Sequence, residues 1–355
     1  MAEQIKLMPG DAEAPRNQWY VIAYGNEVTR EPLARRIMGD PVILYRREDG
    51  TPVALFDRCP HRGMRLSNGG KLIDDAVQCN YHGLEFGPDG MCRTVPSGGP
   101  IARTMSVHSF PLVEIWNWIW IWPGDPAKAD PALIPDHHHA LGLTDPALHA
   151  YSGLMMEFDC NYLHAYENLL EATHISYLHH GFVDSGNVAA HPFREEVAEN
   201  RVTAVREFID EPVFPYAKMS YGLQCDVVDR ELRLIALPPA VAIVRERYRE
   251  KGVLDPRELI VQLVATVTPV TQNRCYQFVT AVRTVPTDPE SLFQGLHSFL
   301  VEDQVALADI QVMFDELDPS QRVEVHVKSD NPALRTRRII EGMIREERVD
   351  LEAVA

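Results

Sequence analysis

Short apolar runs open the chain: Trp19-Tyr-Val-Ile-Ala-Tyr24, Pro41-Val-Ile-Leu-Tyr45 and Pro52-Val-Ala-Leu-Phe56. Gly, Pro and Asp punctuate them about every eight to twelve residues, the pattern of a small all-β module. Val113-Glu-Ile-Trp-Asn-Trp-Ile-Trp-Ile-Trp122 alternates aromatic residues at period two, as a closing strand does. A Pro-punctuated linker follows. Further on, Arg201–Phe208, Leu223–Val228, Leu232–Ala236, Leu259–Val267 and Cys275–Val285 read as strands, with Thr271-Gln-Asn-Arg274 as a hairpin connection. From Ser291 the period becomes helical. The expected fold class is α+β. A polar, loose arm (1–15) precedes an all-β domain (16–125), a linker (126–150) and a second domain of strands and a long helix (151–355).

Charge and composition narrow the partners. The chain has 355 residues and a formal net charge of −17. Such a chain offers little to release phosphate counterions from nucleic acid, and it disfavours an anionic membrane surface. The N-terminal Met1-Ala-Glu-Gln-Ile-Lys6 shows no apolar core of signal-peptide length, and no stretch approaches the apolar run of a bilayer span. Six scattered cysteines, Cys59, Cys79, Cys92, Cys160, Cys225 and Cys275, do not make a disulfide framework. The expected home is a reducing cytoplasm, where clustered Cys and His read as metal ligands. His137-His138-His139 reads as a solvent-exposed run.

Two motifs carry chemistry. Cys59-Pro-His61-Arg-Gly63 and Cys79-Asn-Tyr-His82-Gly83 form the pattern C-x-H-x17-C-x2-H. Each half is a tight loop suited to presenting two side chains toward one site. Two cysteines and two histidines suit a structural zinc, but zinc fingers separate paired ligands by two or more residues, and Cys59 and His61 by only one. The same ligand set suits a [2Fe–2S] centre with both cysteines on one iron and both histidines on the other. Arg58, Arg62, Arg65, Lys71 and Arg93 concentrate near this motif, either as a dock for an acidic electron donor or as solvated surface.

The second motif is Glu167-Asn168-Leu-Leu-Glu171-Ala-Thr-His174-Ile-Ser-Tyr-Leu-His179. Two imidazoles and one carboxylate make the facial triad that holds non-haem Fe(II) with open positions. Residues five apart on a regular helix differ by about 140°. His174 and His179 therefore share an ion only where a helix ends or distorts between them. Leu292, Leu296, Phe299, Leu307, Ile310 and Phe314 fall within about 40° of one stripe on the last helix, and Asp303 sits at its centre. A carboxylate on a core face is costly unless paired or metal-bound. Asp303 is thus the expected third ligand, ahead of Asp309, with a helix-internal salt bridge as the alternative. Glu302, Asp309 and Asp315 fall about 100–120° away, on the water side. Phe214-Pro-Tyr-Ala-Lys-Met-Ser-Tyr221 is a candidate lining for an apolar substrate pocket, or ordinary core. No cluster of Arg or Lys is assignable to a substrate carboxylate or sulfonate.

Both motifs, in this order and with C-P-H-R-G, C-x-Y-H-G and E-N-L-L-E-x-x-H-x4-H as their wording, resemble the Rieske non-haem iron oxygenases, in particular the monooxygenase and demethylase branch. The resemblance runs from Trp19 through the helix at Asp303. It implies a Rieske β domain followed by a helix-grip domain, an antiparallel sheet wrapped around a long C-terminal helix. It implies that Cys59, Cys79, His61 and His82 hold a [2Fe–2S] cluster, and that His174, His179 and Asp303 hold mononuclear Fe(II). Pro96-Ser-Gly-Gly-Pro100 matches the loop that covers the cluster, and Asn168 the amide near the iron. Glu171 takes the acidic bridging position between His82 of one subunit and His174 of the next, where most relatives have Asp. Trp116-Asn117 stands where the family usually has Gly. The implied function is a terminal oxygenase of aromatic compound catabolism. It would use O2 and electrons from NAD(P)H through a separate flavin and iron–sulfur reductase, and it would assemble as a head-to-tail homotrimer. Oxidative O- or N-dealkylation of an apolar or aromatic small molecule is the expected reaction. The alternatives are ring hydroxylation or dihydroxylation, an electron carrier, and a zinc-stabilised ligand-binding protein.

Overall fold

The computed structural model describes residues 7–354 other than Ser185, Asn187 and Glu199. The chain divides into two compact units, residues 16–134 and the remainder.

The first unit is all β. A three-stranded antiparallel sheet orders β1 (Tyr20–Tyr24), β10 (Trp118–Ile121) and β9 (Leu112–Ile115). A second joins β2 (Leu33–Ile37), β3 (Asp40–Arg46) and β4 (Pro52–Phe56). A third runs through β5 (Lys71–Ile73), β6 (Ala76–Gln78), β7 (Glu85–Phe86) and β8 (Cys92–Thr94). The expected single strand Val113–Trp122 is instead two, β9 and β10 paired as a hairpin, and the buried Trp118 and Trp120 fall on β10. That strand is reached through a tight turn in which Trp116 takes φ +57°. That left-handed conformation favours Gly, which accounts physically for the family's preference here. Asp125 and Asp130 cap two short 3₁₀ turns, Pro126–Lys128 and Pro131–Leu133. Trp19 Nε1 donates to the Asp130 carbonyl at 2.8 Å, so this Pro-rich stretch packs on the β unit up to Ile134.

The second unit is one seven-stranded antiparallel sheet, ordered β11 (His149–Phe158), β17 (Arg274–Arg283), β16 (Glu258–Thr271), β15 (Val241–Glu250), β14 (Val227–Leu237), β13 (Arg201–Pro212) and β12 (Arg194–Ala198). The expected hairpin closes β16 onto β17, pairing Thr271 with Arg274. Among the described residues, four α-helices accompany the sheet: α1 (Tyr162–Asn168), α2 (Pro215–Ser220), α3 (Pro289–Glu316) and α4 (Asn331–Val354). Asp288 caps α3, accepting from Ser291 N at 2.9 Å with Pro289 in the first turn. Leu292, Leu296, Leu300 and Leu307 of α3 share one core with Phe158, Tyr166 and Val279. The reading of a single C-terminal helix is extended by α4, whose Ile340 and Ile344 enter the same core.

Several expectations change. Leu223–Val228 and Leu232–Ala236 are not two strands, because β14 begins at Val227 and runs unbroken to Leu237. The charged Asp229-Arg230-Glu231 looked like a break, but the pleat points Arg230 inward to carboxylate partners and its neighbours outward. β15 was missed for the same reason, its Arg245-Glu246-Arg247 run masking the alternation. Ile310 is 47% exposed, and Gln311 is buried in its place. The Gln311 amide explains the exchange, accepting from Asn161 N at 2.8 Å and donating to the Gly10 carbonyl at 2.9 Å. His137 is buried rather than solvated, and burial lowers its pKa to about 4. Its carbonyl takes the amides of Leu143 and Thr144. The arm is not loose from residue 7 onward. Leu7 is buried, and its amide donates to Glu341 Oε1 at 3.1 Å. Residues 1–6 of the arm lie outside the described residues.

Candidate iron sites and substrate pocket

The two Cys-His loops have the same backbone wiring. Cys59 N donates to the Met64 carbonyl at 2.8 Å, and Gly63 N donates back to Cys59 at 2.9 Å. Cys79 N donates to Leu84 at 2.8 Å, and Gly83 N to Cys79 at 2.9 Å. Each glycine has φ near +75° (79° and 74°), which closes the loop behind its cysteine. Cys59 and Cys79 are buried side by side, whereas His61 and His82 are exposed with ring centroids 4.5 Å apart. Burial raises the Cys59 thiol pKa. The His61 amide pulls it down, and the adjoining Cys79 pushes it up again. Paired thiols inside and paired imidazoles outside suit a two-iron cluster with one ligand type per iron. Pro96 packs on the second loop, its Cγ 3.0 Å from where a Cβ on Gly83 would stand. Arg58, Arg62, Arg65, Lys71 and Arg93 are exposed. Arg93 pairs with Asp89, and no ion pair is seen for the other four among the described residues.

In the second unit, α1 ends at Asn168, and the chain re-enters as a 3₁₀ turn at Thr173–Ser176. The break that the five-residue spacing demanded is therefore present. His174 is the second residue of the turn and His179 follows it, with ring centroids 5.4 Å apart. Asp303 of α3 stands against both: its Oδ1 is 3.2 Å from His179 Nε2 and 3.7 Å from His174 Nε2. Ligand atoms of all three lie within 4.8 Å of one another. Asp303 is 4% exposed, and Oδ1 makes no hydrogen bond. A buried carboxylate oxygen left without a hydrogen bond costs about 1–3 kcal/mol or more. A cation among the three groups removes that cost, and the donor set is that of a facial triad. Asp309 is exposed.

Glu171 accepts from the amides of Thr173 at 2.5 Å and His174 at 3.1 Å, and its Oε2 is 3.5 Å from His174 Nδ1. Burial works against its ionisation, but the His174 side chain and the Thr173 contacts outweigh it and hold the carboxyl at about 2. Glu302 was placed on the water side and is half-exposed, yet it reaches back over the rim. His179 Nδ1–H donates to Glu302 Oε2 at 2.6 Å. The contact fixes the tautomer that leaves Nε2 free toward Asp303. Helical phasing hides it, because Glu302 touches a residue from another element. Glu302→Gln is expected to weaken iron binding about 10–100-fold, read by iron analysis after dialysis against a graded chelator.

Beside these groups lies a cavity lined by Asn168, Glu171, His174, His179 and Asp303 at one end. Leu232, Leu234, Val244, Val261 and Leu300 make the walls. Phe214, Tyr216 and Tyr221 of the expected aromatic segment line it as well. Arg230 and Arg283 both border the cavity, where the sequence showed no cluster of Arg or Lys to assign. They lie far apart in sequence and meet only through the sheet. Arg230 is closed off: Nε and Nη2 pair bidentately with Glu211 at 2.7 Å, and Nη1 with Glu246 at 2.8 Å.

Residues 18–111 match the Rieske [2Fe-2S] domain model, and residues 158–346 match the vanillate O-demethylase oxygenase C-terminal domain model. The chain is similar to the oxygenase component of dicamba O-demethylase from Stenotrophomonas maltophilia, 44% identical over 165 residues. That match covers 46% of this chain and about half, 47%, of that protein's length. It is also similar to the vanillate O-demethylase oxygenase subunit of Pseudomonas sp. (strain HR199 / DSM 7063), 32% identical over 67% of each chain. Among solved structures, dicamba monooxygenase bound to dicamba aligns with TM-score 0.83 and 30% identity, covering 94% of this chain and 98% of that one. The fold, a Rieske domain followed by an antiparallel sheet with a long helix against it, defines a Rieske-type oxygenase component. Such an enzyme carries a [2Fe–2S] cluster and a mononuclear iron. The chain belongs to the vanillate O-demethylase oxygenase family. Among the described residues, no helix is long and apolar enough to cross a membrane.

Proposed function

We propose that this chain is the terminal oxygenase of a multicomponent system, hydroxylating a C–H bond of an apolar or aromatic small molecule with O2. Electrons come from NAD(P)H through a separate reductase, and the outcome is oxidative O- or N-dealkylation. The observation that carries the reading is the His174/His179/Asp303 group, with a buried carboxylate oxygen lacking a hydrogen bond, at one end of an apolar cavity. In this reading those three residues hold Fe(II), and Cys59, Cys79, His61 and His82 hold the cluster. When bound, the cluster stores an electron and the iron activates O2. The protein's share is placement. The apolar walls exclude water, Phe299 and Leu300 press the substrate toward the triad, and geometry selects the bond that reacts. Hydroxylation of an O- or N-methyl carbon gives a hemiacetal or carbinolamine that collapses to formaldehyde and the free hydroxyl or amine. One oxygen atom enters the product, and two electrons and two protons reduce the other to water.

The names of relatives support dealkylation: two are O-demethylase components and a third is a chloroacetanilide N-alkylformylase component. Asn168 stands beside the metal group, and Glu171 links His174 to His82 of an adjacent copy in a head-to-tail trimer. The exposed basic residues near the cluster loops receive an acidic donor in the cytoplasm. The test combines spectroscopy with product trapping. Purified protein should show a Rieske absorption and about three irons per chain, two in the cluster and one mononuclear. With a surrogate reductase, a panel of methoxylated and N-alkylated aromatics should release formaldehyde. Colourless, zinc-loaded protein would end the reading. Ring-hydroxylated or dihydroxylated products without formaldehyde would replace dealkylation by the alternative chemistry.

A further inference from the structure

Asn168, Glu171 and His174 border two cavities, the apolar one described above and a second, polar one. Around the second stand His164 and Glu167 of α1, Glu324, His326 and Asp330 of the segment between α3 and α4, and Arg337 of α4. Side-chain exposure falls from 40% at His326 through 31% and 28% at Glu324 and Asp330 to 22% at His174 and 19% at Glu171. The polar pocket therefore runs from solvent toward the metal group.

Its lining is acidic. Arg337 holds Glu167 through Nε and Nη2, the latter at 2.6 Å, and Glu324 through Nη1 at 2.7 Å. Taking Arg337 and Glu167 as a neutral pair leaves Glu171, Glu324 and Asp330 as net negative charge. A second observation is independent of that charge. His164 is 8% exposed and lines the pocket, and its Nε2 is buried without a hydrogen bond. Such an atom is costly unless something meets it. Burial lowers the His164 pKa to about 4, Glu324 acting against the shift and Arg337 with it. The ring is therefore uncharged near neutral pH, the form in which an imidazole binds a metal. The apolar cavity is a poor entrance by comparison, because a hydrated divalent ion loses solvation against Leu232, Leu234 and Val244 with nothing in return.

We propose that the polar pocket is the loading route of the mononuclear site: hydrated ferrous iron enters at His326, Glu324 and Asp330, is met by His164, and reaches the triad past Glu171 at His174. The proposal rests on the reading of His174, His179 and Asp303 as iron ligands and adds how the ion arrives. Among the described residues, the groups of this pocket do not gather into a three-ligand cluster of their own. That suits a route, which must pass the ion on, rather than a second store.

The test uses cluster-loaded protein stripped of mononuclear iron by a chelator, with the Rieske absorption confirming that the cluster stays. Ferrous ammonium sulfate is added without oxygen, uptake is stopped at intervals with a scavenger of free iron, and bound iron per chain is measured. Release is followed separately into excess chelator. Glu324→Gln combined with Asp330→Asn should slow uptake about 10-fold at low salt, within the range of electrostatic steering. The difference should shrink as salt rises. His164→Phe should slow uptake at every salt concentration. A route is crossed in both directions, so each variant should slow release by nearly the same factor and leave the equilibrium affinity for iron unchanged. Asp309→Asn removes an exposed acid outside the pocket lining and should load at the original rate. Uptake at the original rate in the pocket variants would overturn the route alone. So would a loss of affinity through faster release, which would make the pocket part of the holding site. If the unaltered protein takes up no third iron, the oxygenase reading fails and the route with it.

Discussion

Asp303→Ala is expected to empty the mononuclear iron site and abolish substrate hydroxylation while leaving the Rieske spectrum intact. Asp303 Oδ1 is the atom common to the two short contacts, 3.2 Å to His179 Nε2 and 3.7 Å to His174 Nε2. Removing it takes the buried carboxylate from the group and leaves two imidazoles, too few for a facial triad. The cluster loops belong to a separate compact unit, so their ligands are untouched. Total iron should fall from about three to about two per chain, with the visible spectrum unchanged. His174→Ala should give the same pair of readings. Asp309→Ala is the control, since Asp309 is exposed, and it should bind iron normally. Loss of iron in the Asp309 variant alone would mean that the helical phasing of the third ligand is wrong.

Glu171→Gln is expected to keep both metal centres and lower substrate-coupled O2 consumption about 10–100-fold, the usual cost of disturbing a partner that orients a ligand. Glu171 is a pure acceptor that takes two amide protons of the loop carrying His174. Glutamine replaces one acceptor oxygen by a donor, so one of those amides loses its partner and the His174 ring loses its anionic neighbour. Glu171→Asp keeps the charge and should retain more coupled turnover than Gln. An oxygen electrode, with product quantified in parallel, separates coupled from uncoupled O2 use. Full turnover in Glu171→Gln would exclude Glu171 from the electron route between the two centres.

The two sites differ in how much of each could be read in advance. The cluster loops were legible because each is a local turn of five residues, its hydrogen bonds closing between neighbours in sequence. The triad was legible in part. His174 and His179 are close in the chain, and the demand for a broken helix between them is met by the 3₁₀ turn at Thr173–Ser176. Asp303 followed from helix phasing because α3 is long and regular, so an apolar stripe defines its buried face over most of its length. The same arithmetic failed at Ile310, where Gln311 takes the interior through hydrogen bonds to Asn161 and Gly10, residues that no periodicity connects to it.

The sequence by itself determined the order of the domains, the identity and spacing of the candidate cluster and iron ligands, and the aromatic segment that lines the cavity. Each of these depends on contacts between residues near in the chain or on the repeat of one regular element. Only the tertiary structure decided that Glu302 supports His179 and that Arg230 is neutralised by Glu211 and Glu246. The reason is that whether a buried charge is satisfied depends on side chains brought in from other strands and helices, and strand register and helix docking, not local pattern, set those neighbours.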